Sequence, residues 1–145
     1  VHLAMLRALP QGLGLTLVAL LGTWAADTCA YFAGRLFGRH KLYPVISPAK
    51  TLEGALGGLG GAIAAALLVR YVTALELSLG HTVALGVITA VMGMLGDLVE
   101  SMVKRSSGVK DSSHLIPGHG GVLDRFDAVM FAAPAVSVYL RWVVS

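Results

Sequence analysis

Long uncharged runs separated by short polar connections dominate this chain, and that alternation predicts helices that cross a membrane. Residues 8–26 hold no Asp, Glu, Lys or Arg, and the run then continues to Arg35 with Asp27 as its interruption. A helix crossing the hydrocarbon core needs roughly 17 to 25 residues, so a first span is expected over residues 11–33. A second span, 54–70, carries Gly54, Gly57, Gly58, Gly60 and Gly61, small residues that let helices approach closely in lipid. A third, 82–103, takes in most of a stretch free of Asp, Glu, Lys and Arg from Leu77 to Gly96, and a fourth, 122–142, contains Pro134, which should kink it. The opening VHLAMLRALP leads into the first span with no convincing small-residue cleavage site, so it reads as membrane sequence and not as a signal peptide. The expected fold class is all-α: one polytopic membrane bundle over residues 1–145, with about four transmembrane helices.

Composition supports this picture. Of 145 residues 56% are hydrophobic and 13% charged, against roughly 25% charged in a soluble domain. The formal net charge of +3 would suggest nucleic acid in a soluble protein, but here the cations flank apolar runs and suit an anionic lipid surface better. No nucleic-acid partner is expected. The single cysteine, Cys29, excludes an internal disulfide and a cysteine-built zinc site.

The cations also orient the bundle. Arg35, Arg39, Lys41 and Lys50 lie in the first polar connection, and Lys104, Arg105, Lys110 and Arg125 around the second. Only Arg7, Arg70 and Arg141 remain for the other side. By the positive-inside rule both polar loops face the cytoplasm. In the first loop Pro44 and Pro48 exclude a continuous helix, Thr51 is placed to cap a helix starting near Leu52, and Lys50 is available to meet a phosphate. Residues 70–79 should form a short turn on the opposite side, and His81 should serve as a capping or interface residue at the start of the third span.

The chemistry concentrates in residues 101–127, SMVKRSSGVKDSSHLIPGHGGVLDRFD. Asp124 and Asp127 share one helical face and need a shared proton, a cationic partner or a metal, because like charges at close range raise one pKa. A hard divalent ion held by these two and by Asp97 would use oxygen ligands as Mg2+ prefers and leave room for substrate phosphates. Glu100 can pair with Lys104 one turn on. Lys104, Arg105, Lys110 and His119 add cationic donors, and an oxygen-rich metal site beside a basic loop is what phosphoryl or nucleotidyl transfer requires. Asp27, near the end of the first span, should face protein, a cavity or a cation.

The signature S-x-x-K-R-x4-K-D-x-S-x-x-I-P-G-H-G-G-x-x-D-R-x-D, from Ser101 to Asp127, resembles that of the phosphatidate cytidylyltransferases, the CDP-diacylglycerol synthases. Likeness extends to D-T-x-A-Y-x-x-G-x-x-x-G from Asp27 to Gly38, I-S-P-x-K-T-x-E-G from Ile46 to Gly54, and G-D-L-x-E-S from Gly96 to Ser101. The resemblance implies a Mg2+-dependent enzyme of the cytoplasmic (inner) membrane that condenses CTP with phosphatidate to CDP-diacylglycerol and pyrophosphate, with K+ as a candidate second cation. It implies metal ligands Asp97, Asp124 and Asp127, and catalytic residues Lys104, Arg105, Lys110, Asp111, His119 and Arg125. Ser47, Lys50, Thr51, Glu53 and Ser101 would bind substrate, with Asp27 a further acid. It also implies homodimer formation, with which the glycine-rich second span is compatible. Family members are longer, with additional N-terminal membrane helices, so the chain corresponds to their C-terminal catalytic membrane domain. A CTP- or ATP-dependent lipid kinase or transferase, an ion or lipid transporter, and an inactive fragment are the competing assignments.

Overall fold

The computed structural model describes residues 2–106 and 123–144, with side chains in the second segment from 128 to 143. A short helix α1 (His2–Ala8) ends at the Leu9-Pro10 step, and Gln11, at φ 56°, turns the chain into α2 (Gly12–Phe37). A hairpin of β1 (Lys41–Tyr43) and β2 (Ser47–Thr51) leads into α3 (Leu52–Thr73), followed by α4 (Leu79–Ser106) and α5 (Leu123–Tyr139). A π-helical turn, Leu140–Val144, extends α5. The helices α2, α3 and α4 are long and apolar enough to cross a membrane, and Ala128–Val143 forms a shorter apolar helix. The chain is thus an all-α, multi-pass membrane bundle.

Glycine sets how closely these helices pack. Gly54, Gly57, Gly58 and Gly61 lie at helical spacing on the face of α3 turned to α2. A Cβ at Gly58 would lie 2.9 Å from the Ala26 carbonyl oxygen, and one at Gly61 would lie 2.6 Å from Cys29 Sγ. Gly60 points to open space. The close approach expected in lipid is therefore realised inside one chain, and four of the five glycines offered as compatible with dimerisation are occupied there. Ala26, Ala62 and Ala90 form a small-residue cluster, and a larger cluster of Leu6, Leu15, Val18, Leu85, Val136 and neighbours fills the end nearer the N-terminus. Thr23 and Thr89 are fully buried and spend their hydroxyls on the preceding turn, Thr23 Oγ1 donating to Ala19 O (3.0 Å) and Leu20 O (2.9 Å).

Side chains and turns fasten that same end. Gln11 Oε1 accepts from Glu76 N (2.7 Å), Arg70 Nε donates to Leu77 O (2.9 Å), and His81 Nδ1 meets the Tyr139 hydroxyl (2.8 Å). The turn expected over 70–79 is shorter than the charge pattern suggests. Helix α3 continues to Thr73 and closes on Ala74 in the left-handed region (φ 48°), because Arg70 uses its guanidinium within the turn and does not mark a helix end. Ser78 Oγ accepts from His81 N (3.2 Å), so Ser78 caps α4 and His81 braces it against α5.

The polar end holds the main departure from expectation, an antiparallel hairpin in the first loop. Lys41 pairs with Thr51 and Tyr43 with Ser47, with an irregular register between them. Pro44 sits at the turn, where its missing N–H takes nothing from the ladder. Thr51 then caps α3 as its position predicts, Oγ1 accepting from Gly54 N at 3.1 Å.

A candidate membrane-interface active site

A cavity of about 580 Å3 lies at the polar end, walled by α2, the hairpin, α3 and α4. Helix α2 lends it Asp27, Tyr31 and Arg35, one helical turn apart on one face. The hairpin contributes Leu42, Ala49, Lys50 and Thr51, and α4 contributes Met94 and Asp97. The α3 wall, Gly54, Ala55, Gly58 and Leu59, is small and apolar, so the polar groups gather on the other walls.

Lys50 reaches from β2 to Asp97 on α4, where its ammonium pairs with the carboxylate. Lys50 is 23% exposed and Asp97 42%. Thr51 joins the wall as α3 begins. Its side chain is buried beside Gly34 of α2 and Gly38, the residue that closes that helix, such that a Cβ at Gly34 would lie 3.0 Å from Thr51 Oγ1. Glu53 fastens the hairpin to α3, with Oε2 accepting from Arg39 N (3.1 Å) and His40 N (3.3 Å) and Oε1 meeting His40 Nδ1 (2.6 Å).

The end of α4 is tied to the same hairpin. Arg105 Nη1 donates to Val45 O at 2.7 Å. Lys104 pairs with Glu100 at 2.8 Å, as their spacing predicts, and Ser101 Oγ donates to Asp97 O at 2.8 Å, the carbonyl one turn back. The end of α4, where the second polar connection begins, thus meets the first connection.

Of the residues singled out from sequence, the cavity collects Asp27, Lys50, Thr51 and Asp97. Ser47, Glu53, Ser101, Lys104 and Arg105 stand outside its lining, and those with described bonds brace the frame around it. Lys110, Asp111 and His119 lie outside the described residues, as do the side chains of Asp124, Arg125 and Asp127. The backbone places Asp124 and Asp127 in the first turns of α5. Among the described residues no three His, Cys, Asp or Glu side chains gather as a metal site; of the expected ligand trio, Asp97 has a described side chain, an oxygen donor facing the cavity. Tyr31 and Arg35 were missed. The signal that finds them is the i, i+4, i+8 ladder from Asp27, hidden because Arg35 serves equally well as an orienting charge.

A bundle of membrane-crossing helices with a mixed-charge cavity at one end defines an integral membrane protein with a candidate site at its polar end. The chain belongs to the cytidylyltransferase family, whose model matches residues 1–143. It is 46% identical over 130 residues to a phosphatidate cytidylyltransferase of Staphylococcus haemolyticus, an alignment covering 90% of this chain and 50% of that protein. The same-named proteins of Staphylococcus saprophyticus and Staphylococcus aureus are 47% and 45% identical, with the same coverage. The chain spans about half the length of the curated relatives it matches.

Proposed function

We propose that this chain carries the catalytic membrane domain of a phosphatidate cytidylyltransferase, transferring the cytidylyl group of CTP to phosphatidate with release of pyrophosphate. The observation that carries this is the interface cavity joining Asp27, Lys50 and Asp97, in a chain 46% identical to a protein of that name. In the reaction a phosphate oxygen of the lipid attacks the α-phosphorus of CTP. The α–β bridging P–O bond breaks and its electron pair leaves with pyrophosphate.

Both substrates are phosphate anions, so the protein's work is to position them and to offset charge on the leaving group. Lys50 stands on the cavity wall with a carboxylate partner that fixes its place. The short lining of α3 leaves room beside it. Asp97, with Asp124 and Asp127 from α5, would hold Mg2+; a carboxylate donor set suits that hard ion. When bound, Mg2+ would neutralise phosphate charge during transfer. A second cation such as K+ has no described donor set. The positive-inside pattern supports a cytoplasmic face for the cavity in the inner membrane.

The test is radiolabelled CTP incorporation into phosphatidate by membranes expressing the chain, with Asp124→Asn in parallel. The expected result is Mg2+-dependent CDP-lipid and pyrophosphate in the wild type, with a loss of ~100-fold or more in the variant. Phosphate transfer from ATP without pyrophosphate would identify a lipid kinase instead. Near-full activity in Asp124→Asn would remove that residue from the metal site.

A further inference from the structure

Among the described cations that line the cavity or brace its frame through an ion pair or a carbonyl bond, Arg35 differs in what it touches. Lys50 is neutralised by Asp97, Lys104 by Glu100, and Arg105 is held on a backbone carbonyl. Arg35 lines the cavity, is exposed, and its Nη1 donates to the Tyr31 hydroxyl at 3.0 Å. A phenol accepts a hydrogen bond without cancelling the charge, and a guanidinium has five N–H donors. Among the described residues no carboxylate forms an ion pair with Arg35. Tyr31 aims the guanidinium while leaving most of its donors and its charge available to an anion.

Its depth and surroundings say which anion. Helix α2 has 26 residues, about 39 Å at 1.5 Å per residue, longer than a hydrocarbon core of roughly 30 Å. Arg35 is two residues from its end and eight beyond Asp27, so it stands roughly 12 Å farther along the axis toward the polar end. Beside it Phe32, Leu36 and Phe37 are exposed at 56%, 70% and 68%. A cation lining a mixed-charge cavity, on a helix end that also exposes apolar side chains outside the cavity lining, matches a ligand with a phosphate head and hydrocarbon tails.

We infer that Arg35, held by Tyr31, receives the phosphate monoester head of the lipid substrate at the mouth of the cavity, positioning it for attack. This rests on the cytidylyl-transfer reading for the identity of the lipid. A phosphate monoester carries close to two negative charges at neutral pH, and the planar guanidinium can meet two of its oxygens at once. The nucleotide triphosphate offers the same phosphate chemistry but has no tails to lie against the exposed apolar side chains at this end of α2.

The experiment is calorimetric titration of the purified chain in detergent micelles with dihexanoyl phosphatidate, dihexanoyl phosphatidylmethanol and CTP, alongside CDP-lipid formation. Arg35→Gln should weaken phosphatidate binding by about tenfold or more while leaving CTP binding within about twofold. Arg35→Lys should recover part of the loss and Tyr31→Phe should show a smaller one. The wild type should prefer phosphatidate to phosphatidylmethanol, a phosphodiester with less charge, and Arg35→Gln should lose that preference. Equal weakening of CTP and phosphatidate, no change in either, or no phosphatidate binding by the wild type would overturn the assignment. Arg35-dependent phosphatidate binding in a chain that forms no CDP-lipid would sink the transfer reaction and leave the lipid site standing. Normal CDP-lipid formation with an unchanged phosphatidate KM in Arg35→Gln would do the reverse.

Discussion

Lys50, on the second hairpin strand, and Asp97, near the end of α4, form an ion pair across the wall of the cavity. This pair joins the hairpin to α4, although α3 and most of α4 lie between its members in sequence.

Both side chains retain contact with solvent, so their replacement should separate function from folding. Partly exposed ion pairs contribute roughly 0–1 kcal/mol, and Lys50→Gln should leave the unfolding temperature of the detergent-solubilised protein nearly unchanged. CDP-lipid formation should fall by ~100-fold, the order expected when a charge acting on the transferred group is removed. A large drop in thermal stability with activity retained per folded molecule would assign Lys50 to the scaffold alone.

The glycine face of α3 predicts opposite outcomes one residue apart. Gly61→Val would drive its Cβ into Cys29, where the distance is 2.6 Å for the first carbon alone, and should destabilise by roughly 1–3 kcal/mol through overpacking. Gly60→Ala meets nothing within 4 Å and should stabilise by roughly 0.5–1 kcal/mol through helix propensity. Thermal unfolding in one detergent compares the two directly; equal effects would mean that α3 is rotated from this orientation.

Thr51 tests whether a residue expected to bind substrate acts first as a helix cap. Its Oγ1 already accepts from Gly54 N, so Thr51→Ala should cost about 1 kcal/mol and Thr51→Ser should restore most of it. If both variants lose activity while only Thr51→Ala loses stability, the methyl group packed near Gly38 matters to the cavity wall as well.

The membrane-crossing helices were legible because long uncharged runs have few alternatives, and the cap at Thr51 because its chemistry is local. The hairpin was not, since KLYPVISPAKT is short, proline-interrupted and carries no alternating apolar pattern; the bonds that fasten it, from Glu53 to Arg39 and His40 and from Arg105 to Val45, are non-local. At the site, Asp27, Lys50 and Asp97 stood out as charges beside apolar sequence. Arg35 and Tyr31 did not, because a loop arginine and an interfacial tyrosine fit membrane anchoring until α2 is seen to turn both toward the cavity. Glu53 enters the expected substrate-binding set through the resemblance, and spacing alone does not reveal that Arg39 and His40 fold back to meet its carboxylate.

Lys104 poses the opposite question, whether a residue expected to be catalytic is structural. Its ammonium lies 2.8 Å from Glu100, and the side chains are 21% and 12% exposed. Removing one member of such a sheltered pair leaves the other charge poorly solvated, so Lys104→Met should destabilise by roughly 3 kcal/mol, less to the extent that other contacts of Glu100 compensate. Replacing both, as in Glu100→Gln with Lys104→Met, removes the stranded charge and should recover much of that stability. Activity then divides the roles. A double variant that is as stable as the wild type and as active assigns Lys104 to holding α4, whereas one that is stable but inactive keeps it among the groups acting on phosphate. Because the Lys104 ammonium is already engaged by a carboxylate and lies outside the cavity lining, the expected outcome is recovered stability with most activity retained, measured by thermal unfolding and CDP-lipid formation on the same preparation.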